Sequence, residues 1–554
     1  MSEPASGTTL QVAPEPGESA LGAVRRYHER TKHQLTRYAS GPETLDWDAQ
    51  PSPFRRFEGS EALLLPHLSD ATDALGRALG RRANQPPPAL PLPFSLASLG
   101  ALLALSLGVT AWKRQGPDRW AVRANPSSGN LHPIEAYVLL SGGGFAPGVY
   151  HYRAEDHALE QRASWDAQAT PAGPRVWVAL TTVIWREVWK YGERGFRYCQ
   201  LDTGHALAAL RYAATLLGWR AREQRAISSL ALRRVLGLDR SEDLTRTRRP
   251  DTELEEPELL LELEAAPGEQ PLHDDELLRL AAASRFRGRA SLIDAHPMYS
   301  WPAVHEVTVA SRRSDPPLES ARAEPQTMLH CESTRSVAAL LLARRSAQRF
   351  DREFVLERRA FVEILRGVAL TAKAPSSLDL ALFVHRVEGL SAGVYLLQLA
   401  SGDPQRRLLE RLGRKFRPRQ VQELGEVGSL WELATPPGRE LARAVRTLHC
   451  NQDIASSCCF ALGMLVDLER AVQQPSDYRE LLREAGSLGH ALYLQAEAAG
   501  VRGTGIGCFF DDAVADFLTL GDTPVRSIYH FSIGKPLEDP RIETVLATGH
   551  HPFE

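Results

Sequence analysis

The chain lacks the features that would mark a secreted, membrane-spanning or metal-dependent protein. Its six cysteines, Cys199, Cys331, Cys450, Cys458, Cys459 and Cys508, contain no Cys-x-x-Cys pair and form no regular framework in 554 residues. A disulfide scaffold is therefore not expected, and a reducing cytoplasm is. Adjacent Cys458 and Cys459 sit in an apolar run and read as core residues. No basic start leads into a long apolar run, so no signal peptide is expected. The most apolar helix-like segment, 96–109, is too short to span a bilayer and is followed by Trp112, Lys113 and Arg114. There is no HExxH motif, and His28 and His33 are badly spaced for one helix face, so no metal centre is expected. Lysine is scarce, and the basic residues are nearly all arginine. A formal net charge of -3 gives no reason to expect a nucleic-acid partner.

What is present suits a soluble globular chain: 43% hydrophobic and 24% charged residues, over a length that calls for two or three domains. Residues 1–20, rich in Pro, Glu, Gly and Ser, are expected to be disordered. A first domain is expected over 21–240, with an insert at about 41–90. It would carry a short basic helix at 24–33, a buried helix at 92–107 and strands at 134–140, 149–152 and 175–182. Gly142-Gly143-Gly144 would bridge the first two strands, and an Ala/Leu helix over 201–217 would end at Gly218. The stretch 241–330 is acidic and contains prolines; it reads as a connector or insert, with 240–269 a boundary or a surface excursion. The second domain, 331–554, is expected to hold helices at 337–345, 359–367, 441–448, 455–468 and 478–499, and one near Ala513. Its strands are expected at 380–387, 394–399 and 525–533.

The two halves repeat one another. Gly148-Val149-Tyr150 recurs as Gly393-Val394-Tyr395. Phe196-Arg197, Asp202, Gly204 and Gly218 recur at the same spacing as Tyr478-Arg479, Glu484, Gly486 and Gly500. Trp219-Arg220 then matches Val501-Arg502. Shared order and spacing over this length imply duplication of one α+β unit, packed about an internal pseudo-twofold.

Pro126-Ser127-Ser128-Gly129-Asn130 offers fixed backbone N–H groups and short polar side chains, a turn that can meet a flat polar ligand. In the second half, Arg344-Arg345-Ser346 with Gln348 ends a helix, where arginines and a hydroxyl can grip a phosphate. Gly503-Thr504-Gly505-Ile506-Gly507 reads as a turn that lets backbone approach a planar ring. It is not a dinucleotide fingerprint, because it follows a helix. Lys535 and Arg541 add positive charge near the C-terminus.

On these residues the chain resembles the FMN-dependent nitroreductase superfamily, in particular its azoline-oxidising branch, the SagB-type dehydrogenases, in tandem-duplicated form. The resemblance covers about 20–545. It implies two nitroreductase-like α+β domains, each a mixed, mainly antiparallel sheet wrapped by helices, forming an intrachain pseudo-dimer; a higher oligomer stays open. It implies FMN at the seam, its phosphate held by Arg344, Arg345, Ser346 and Arg541, its ring by Pro126–Asn130, Gly505 and Gly507, with Gln452 as a further contact. Gln348 stands where the family carries a basic residue. The second half keeps only a reduced ring turn, Pro375-Ser376-Ser377-Leu378-Asp379, and the first half has no Gly-x-Gly after its long helix. One composite site, and one FMN, is therefore expected.

Lys190-Tyr191 matches a Lys-Tyr pair to which the azoline dehydrogenases assign proton removal. A lysine can act so only if burial or a neighbouring cation, here Arg194, lowers its pKa. The resemblance implies two-electron dehydrogenation of a thiazoline or oxazoline to an azole, with O2 as acceptor. The heterocycle would be free, on a peptide or on a carrier protein. NAD(P)H-dependent reduction of a nitro compound, quinone or enone, and a flavin-free scaffold, are the alternatives. No membrane or nucleic-acid partner is expected.

Overall fold

A computed structural model of the chain describes residues 19–547, apart from 89, 143–144, 167–174, 246, 266–271, 315–327, 373–375, 400–402, 422–423 and 425–426. The expectations for 1–18, for Gly143-Gly144, for part of the connector and for Pro375 lie outside the described residues.

Two antiparallel sheets carry the two halves, and their strand orders match. In the first, Ala158–Ser164, Gly148–Arg153, Ile134–Ser141, Arg175–Thr182, Glu256–Glu264 and Arg220–Glu223 lie side by side. In the second the corresponding order is Ser429–Ala434, Gly393–Gln398, Asp379–Val384, Phe460–Asp467, Val525–Gly534 and Arg502–Ile506. The matched Gly-Val-Tyr triplets open equivalent strands, and in each the tyrosine hydroxyl donates to a carbonyl four residues back, Ala146 or Ser391. A buried strand hides its alternating pattern, because both faces are apolar. That is why 455–468, expected to be helical, is one helical turn, Ile454–Ser457, and then the central strand Phe460–Asp467.

The acidic stretch also departs from expectation. Glu256–Glu264 is a strand of the first sheet, with all nine residues buried, and not a surface excursion. Its carboxylates are neutralised by arginines: Glu256 by Arg312 and Arg479, Glu258 by Arg479 and Arg483, Glu262 by Arg222. Likewise the Gly-x-Gly-x-Gly segment is not a turn but the strand Arg502–Ile506.

Two long helices, Gly195–Leu216 and Asp477–Ala498, pack against each other between the sheets. They cross at the glycines that the repeat aligns. A Cβ on Gly204 would overlap the Arg483 carbonyl, and one on Gly486 the Leu201 carbonyl. Only glycine lets the backbones approach so closely. The same two helices hold the carboxylates that fix both serine turns: Asp202 accepts from the Ser128 N–H, and Glu484 from that of Ser377. The pseudo-twofold thus runs between Gly204 and Gly486. The C-terminal strand Glu543–Leu546 returns to the first half, pairing with the Val109–Gln115 strand of a hairpin completed by Asp118–Arg123. Among the described residues no helix is long and apolar enough to cross a membrane.

Candidate functional site

The seam between the halves encloses a cavity of about 530 Å³. Its first wall is the serine turn. Gly129 and Asn130 both have left-handed backbone, φ 59° and 60°, which Gly and Asn tolerate best. Asn130 spends its side chain inside the turn, donating to the Ala121 carbonyl and meeting His132 at 3.0 Å. The Ser127 hydroxyl accepts from the His132 N–H. His132 is therefore a structural partner, and burial holds its pKa well below the ordinary range.

The second wall comes from the other half. Arg344 donates to the carbonyls of Ala124 and Arg123 and so reaches across the seam, yet its Nη1 is buried without a partner. Among the described residues Arg345 donates only to the carbonyls of Leu342 and Arg344. Among the described residues neither guanidinium is paired with a carboxylate. Burial, and then the charge of Arg344, pulls Arg345 down to about 9. Lys113, carried by the hairpin, also lines the cavity and is lowered by burial. Ser346 bonds the Tyr493 hydroxyl at 2.7 Å, and that hydroxyl accepts from the Gly505 N–H, tying the arm to the glycine strand. A Cβ on Gly505 would overlap the Tyr529 hydroxyl, and one on Gly507 the Tyr198 ring, so both glycines let these tyrosines pack directly on the backbone there. Gln348 and Gln452 also line it.

Lys190 and Tyr191 sit directly against the turn. A Cβ on Gly129 would lie 2.5 Å from the Tyr191 hydroxyl and 3.1 Å from Lys190 Nζ. Trp47, from the 41–90 insert, covers the lysine, with Nζ 5.2 Å from its ring. Burial lowers the Lys190 pKa, against the opposing charge of Glu187; burial raises that of Tyr191 far above its ordinary value. Arg194 plays no part in this. It is bound to Asp511 at 3.0 Å and to the Gly507 carbonyl.

Most of the expected cofactor residues thus meet at one cavity. Arg541 does not: its exposed side chain is paired with Asp539, 2.7 Å away. Besides Lys113, three residues were missed. Asn125 lines the cavity with both amide atoms buried and unpartnered. Glu187 and Asp202 are buried carboxyls that face each other beneath the turn. Burial pushes Asp202 up to about 7, and burial together with the charge of Asp202 raises Glu187 well above the ordinary range. Asp202 was visible as an aligned acid of the repeat, but nothing in the sequence pairs it with Glu187.

A raised carboxyl pKa favours the folded state while the group is protonated. That contribution is complete below pH 3.8 and is lost as the pH rises through about 7. Urea unfolding across this window is expected to show falling stability, and Asp202→Asn is expected to flatten the slope.

The pseudo-symmetric position is built differently. In the repeat register Gly505 and Gly507 become Glu223 and Arg225, and Tyr198 becomes Glu480. Arg225 bridges Glu480 at 3.0 Å and Glu223 at 3.3 Å, and Arg313 meets Glu223 at 3.1 Å. Arg312-Arg313-Ser314 is a second Arg-Arg-Ser triplet, also at a helix end, but its arginines are neutralised by Glu256 and Glu223. One position holds uncompensated arginines around a cavity; the other is filled with ion pairs.

No family model matches the chain. A putative nitroreductase of Methanocaldococcus jannaschii is 29% identical over 138 residues, 23% of this chain and 66% of that protein. The trifolitoxin-processing protein TfxB of Rhizobium leguminosarum bv. trifolii is 30% identical over 170 residues, 27% of this chain and 45% of that protein. The matches therefore span less than two thirds of each curated relative. The crystal structure of a putative nitroreductase from Anabaena variabilis ATCC 29413 superposes with a TM-score of 0.63 at 20% identity, covering 93% of this chain and 99% of that one. The expected nitroreductase fold, over both halves, is borne out.

Proposed function

We propose that this tandem nitroreductase-fold chain is an FMN-dependent oxidoreductase with one composite site, which dehydrogenates a thiazoline- or oxazoline-type ring to the azole. The observation that carries this reading is the set of buried arginines without carboxylate partners, facing the serine turn across one cavity. Buried cations lacking a counter-charge call for an anionic ligand, and the glycine-lined strand beside them suits a flat one. Arg344, Arg345, Ser346 and Lys113 would hold the phosphate, with Gln348 at its edge. Ser127, Ser128, Gly129 and the free Asn125 amide would meet the ring, with Gln452, Gly505 and Gly507 opposite. Arg541 is left out of this set.

When bound, FMN supplies the acceptor for the hydride of such an oxidation and a route for the electrons to O2. The chain's own residues must take the partner proton. Lys190, lowered by burial and covered by Trp47, is the base in this reading. Tyr191, kept protonated by burial, donates a hydrogen bond and orients the ring. Glu187, one helical turn before Lys190, is the acid whose charge favours the protonated lysine. The match to a trifolitoxin-processing protein favours a ring borne on a peptide over a free one.

Anaerobic mixing of the FMN-loaded chain with a thiazoline peptide tests the reading. Rapid loss of oxidised-flavin absorbance is expected, with azole formed in equal amount. Bleaching by NAD(P)H and not by the thiazoline would assign a reductase instead.

A further inference from the structure

We propose that Cys450 and Cys508 form a redox-active dithiol in the wall of the seam cavity. Cys508 is the attacking thiol, and the pair closes to a disulfide at the expense of a small-molecule disulfide of the glutathione class. Neither the proposed dehydrogenation nor the flavin reading requires this pair.

Both thiols line the cavity, whereas Cys199, Cys458 and Cys459 are buried in the core. They come from segments far apart in sequence: Cys450 follows the helix Gly438–Leu448, and Cys508 follows the strand Arg502–Ile506. Two bonds clamp these segments together. Gln452 Nε2 donates to the Cys508 carbonyl at 3.1 Å, and the Phe510 N–H donates to the Leu448 carbonyl at 2.9 Å. Cys450 and Asn451 hold left-handed backbone, φ 53° and 59°, an unusual conformation for non-glycine residues. The two clamps set Cys450 opposite Cys508, between the bonded pairs 448–510 and 452–508, close enough for the two side chains to interact.

The polarity of the pair comes from the first half of the chain. His33 Nδ1 accepts from the Ala39 N–H at 2.9 Å, which leaves the proton on Nε2, and the imidazole interacts electrostatically with Cys508. His33 is itself anchored, its N–H donating to Asp511 at 3.0 Å. The Arg194 guanidinium sits on the adjacent Gly507 carbonyl. The Cys450 thiol, the imidazole and this cation all favour the thiolate, and together they pull Cys508 down to about 5, while Cys450 is raised.

In the reaction, the Cys508 thiolate attacks one sulfur of the small disulfide and expels a thiolate, leaving a mixed disulfide. Cys450 gives its proton to that leaving thiolate and then attacks the Cys508 sulfur, releasing the second small thiolate, which takes a proton from solvent. Two electrons pass from the pair to the small disulfide. The product ties the Gln452 loop to the end of the glycine strand, at the rim of the cavity.

The full chain, reduced and then equilibrated with glutathione and its disulfide, tests this by acid quench, alkylation and peptide mass mapping. A Cys450–Cys508 cross-link is expected, with the remaining cysteines alkylated. Cys450→Ser should instead accumulate glutathione on Cys508. His33→Gln should slow alkylation of Cys508 at pH 6 by about tenfold. Mapping on the unsubstituted chain decides the matter even if a variant fails to fold. Glutathione on both sulfurs without a cross-link, or both remaining free in excess glutathione disulfide, would overturn the proposal.

Discussion

Lys190→Ala is expected to lower azoline turnover by about 10²- to 10⁴-fold, the span typical for loss of a positioned general base, while bound FMN stays at its unsubstituted level. The lysine touches the turn at Gly129 but makes none of the contacts assigned to the phosphate. Binding and chemistry should therefore separate cleanly. The lost proton acceptor also predicts the pH profile. Because burial lowers the Lys190 pKa, the rate should rise with pH to a plateau reached below the ordinary lysine value of 10.5, and the alanine variant should lose that limb. Tyr191→Phe keeps the ring packed on Tyr198, 4.7 Å away, and should cost less. Unchanged turnover of Lys190→Ala with full flavin would remove the lysine from the chemistry.

Arg344→Ala is expected to weaken FMN about a hundredfold. A hydrogen bond to a charged group contributes about 1.5–3 kcal/mol, and each 1.4 kcal/mol is about tenfold in Kd. Substitution also frees the Ala124 and Arg123 carbonyls that hold the serine turn in register. The same change at Arg313, in the pseudo-symmetric position, should leave FMN binding intact. There it would remove one of the arginines that neutralise Glu223, leaving Arg225 at 3.3 Å, and lower stability, since a less compensated buried charge is costly. A flavin titration of both variants beside a thermal melt reads both effects. Equal loss of FMN in the two variants would contradict the division of roles between the halves.

The repeat was legible because its carriers are residues that the fold constrains hard. Gly204 and Gly486 mark a helix crossing that admits no Cβ, and the acids two residues earlier hold the serine turns. The turn and the arm were legible because their chemistry is local. Other parts depend on partners distant in sequence, and no local pattern reports them. Glu256–Glu264 does alternate, with leucines at 259, 261 and 263 and acids at 256, 258, 262 and 264, but its charge mimics a surface. Arginines distant in sequence, Arg479 and Arg483 among them, make that acidic face a buried one. Lys113 reaches the cavity through a hairpin whose third strand is the chain's C-terminal one, and Glu187 meets Asp202 only through helix packing. Arg541 misled for a simple reason: Asp539, two residues away, is the nearer anion.

The central claim is that two non-identical halves assemble one flavin site and close the other. Titrating the chain, freed of any bound flavin, with FMN and reading equilibrium binding by flavin absorbance and fluorescence tests it most directly. One equivalent per chain, lost on Arg344→Ala, is the result expected. Two equivalents per chain, or none, would contradict it.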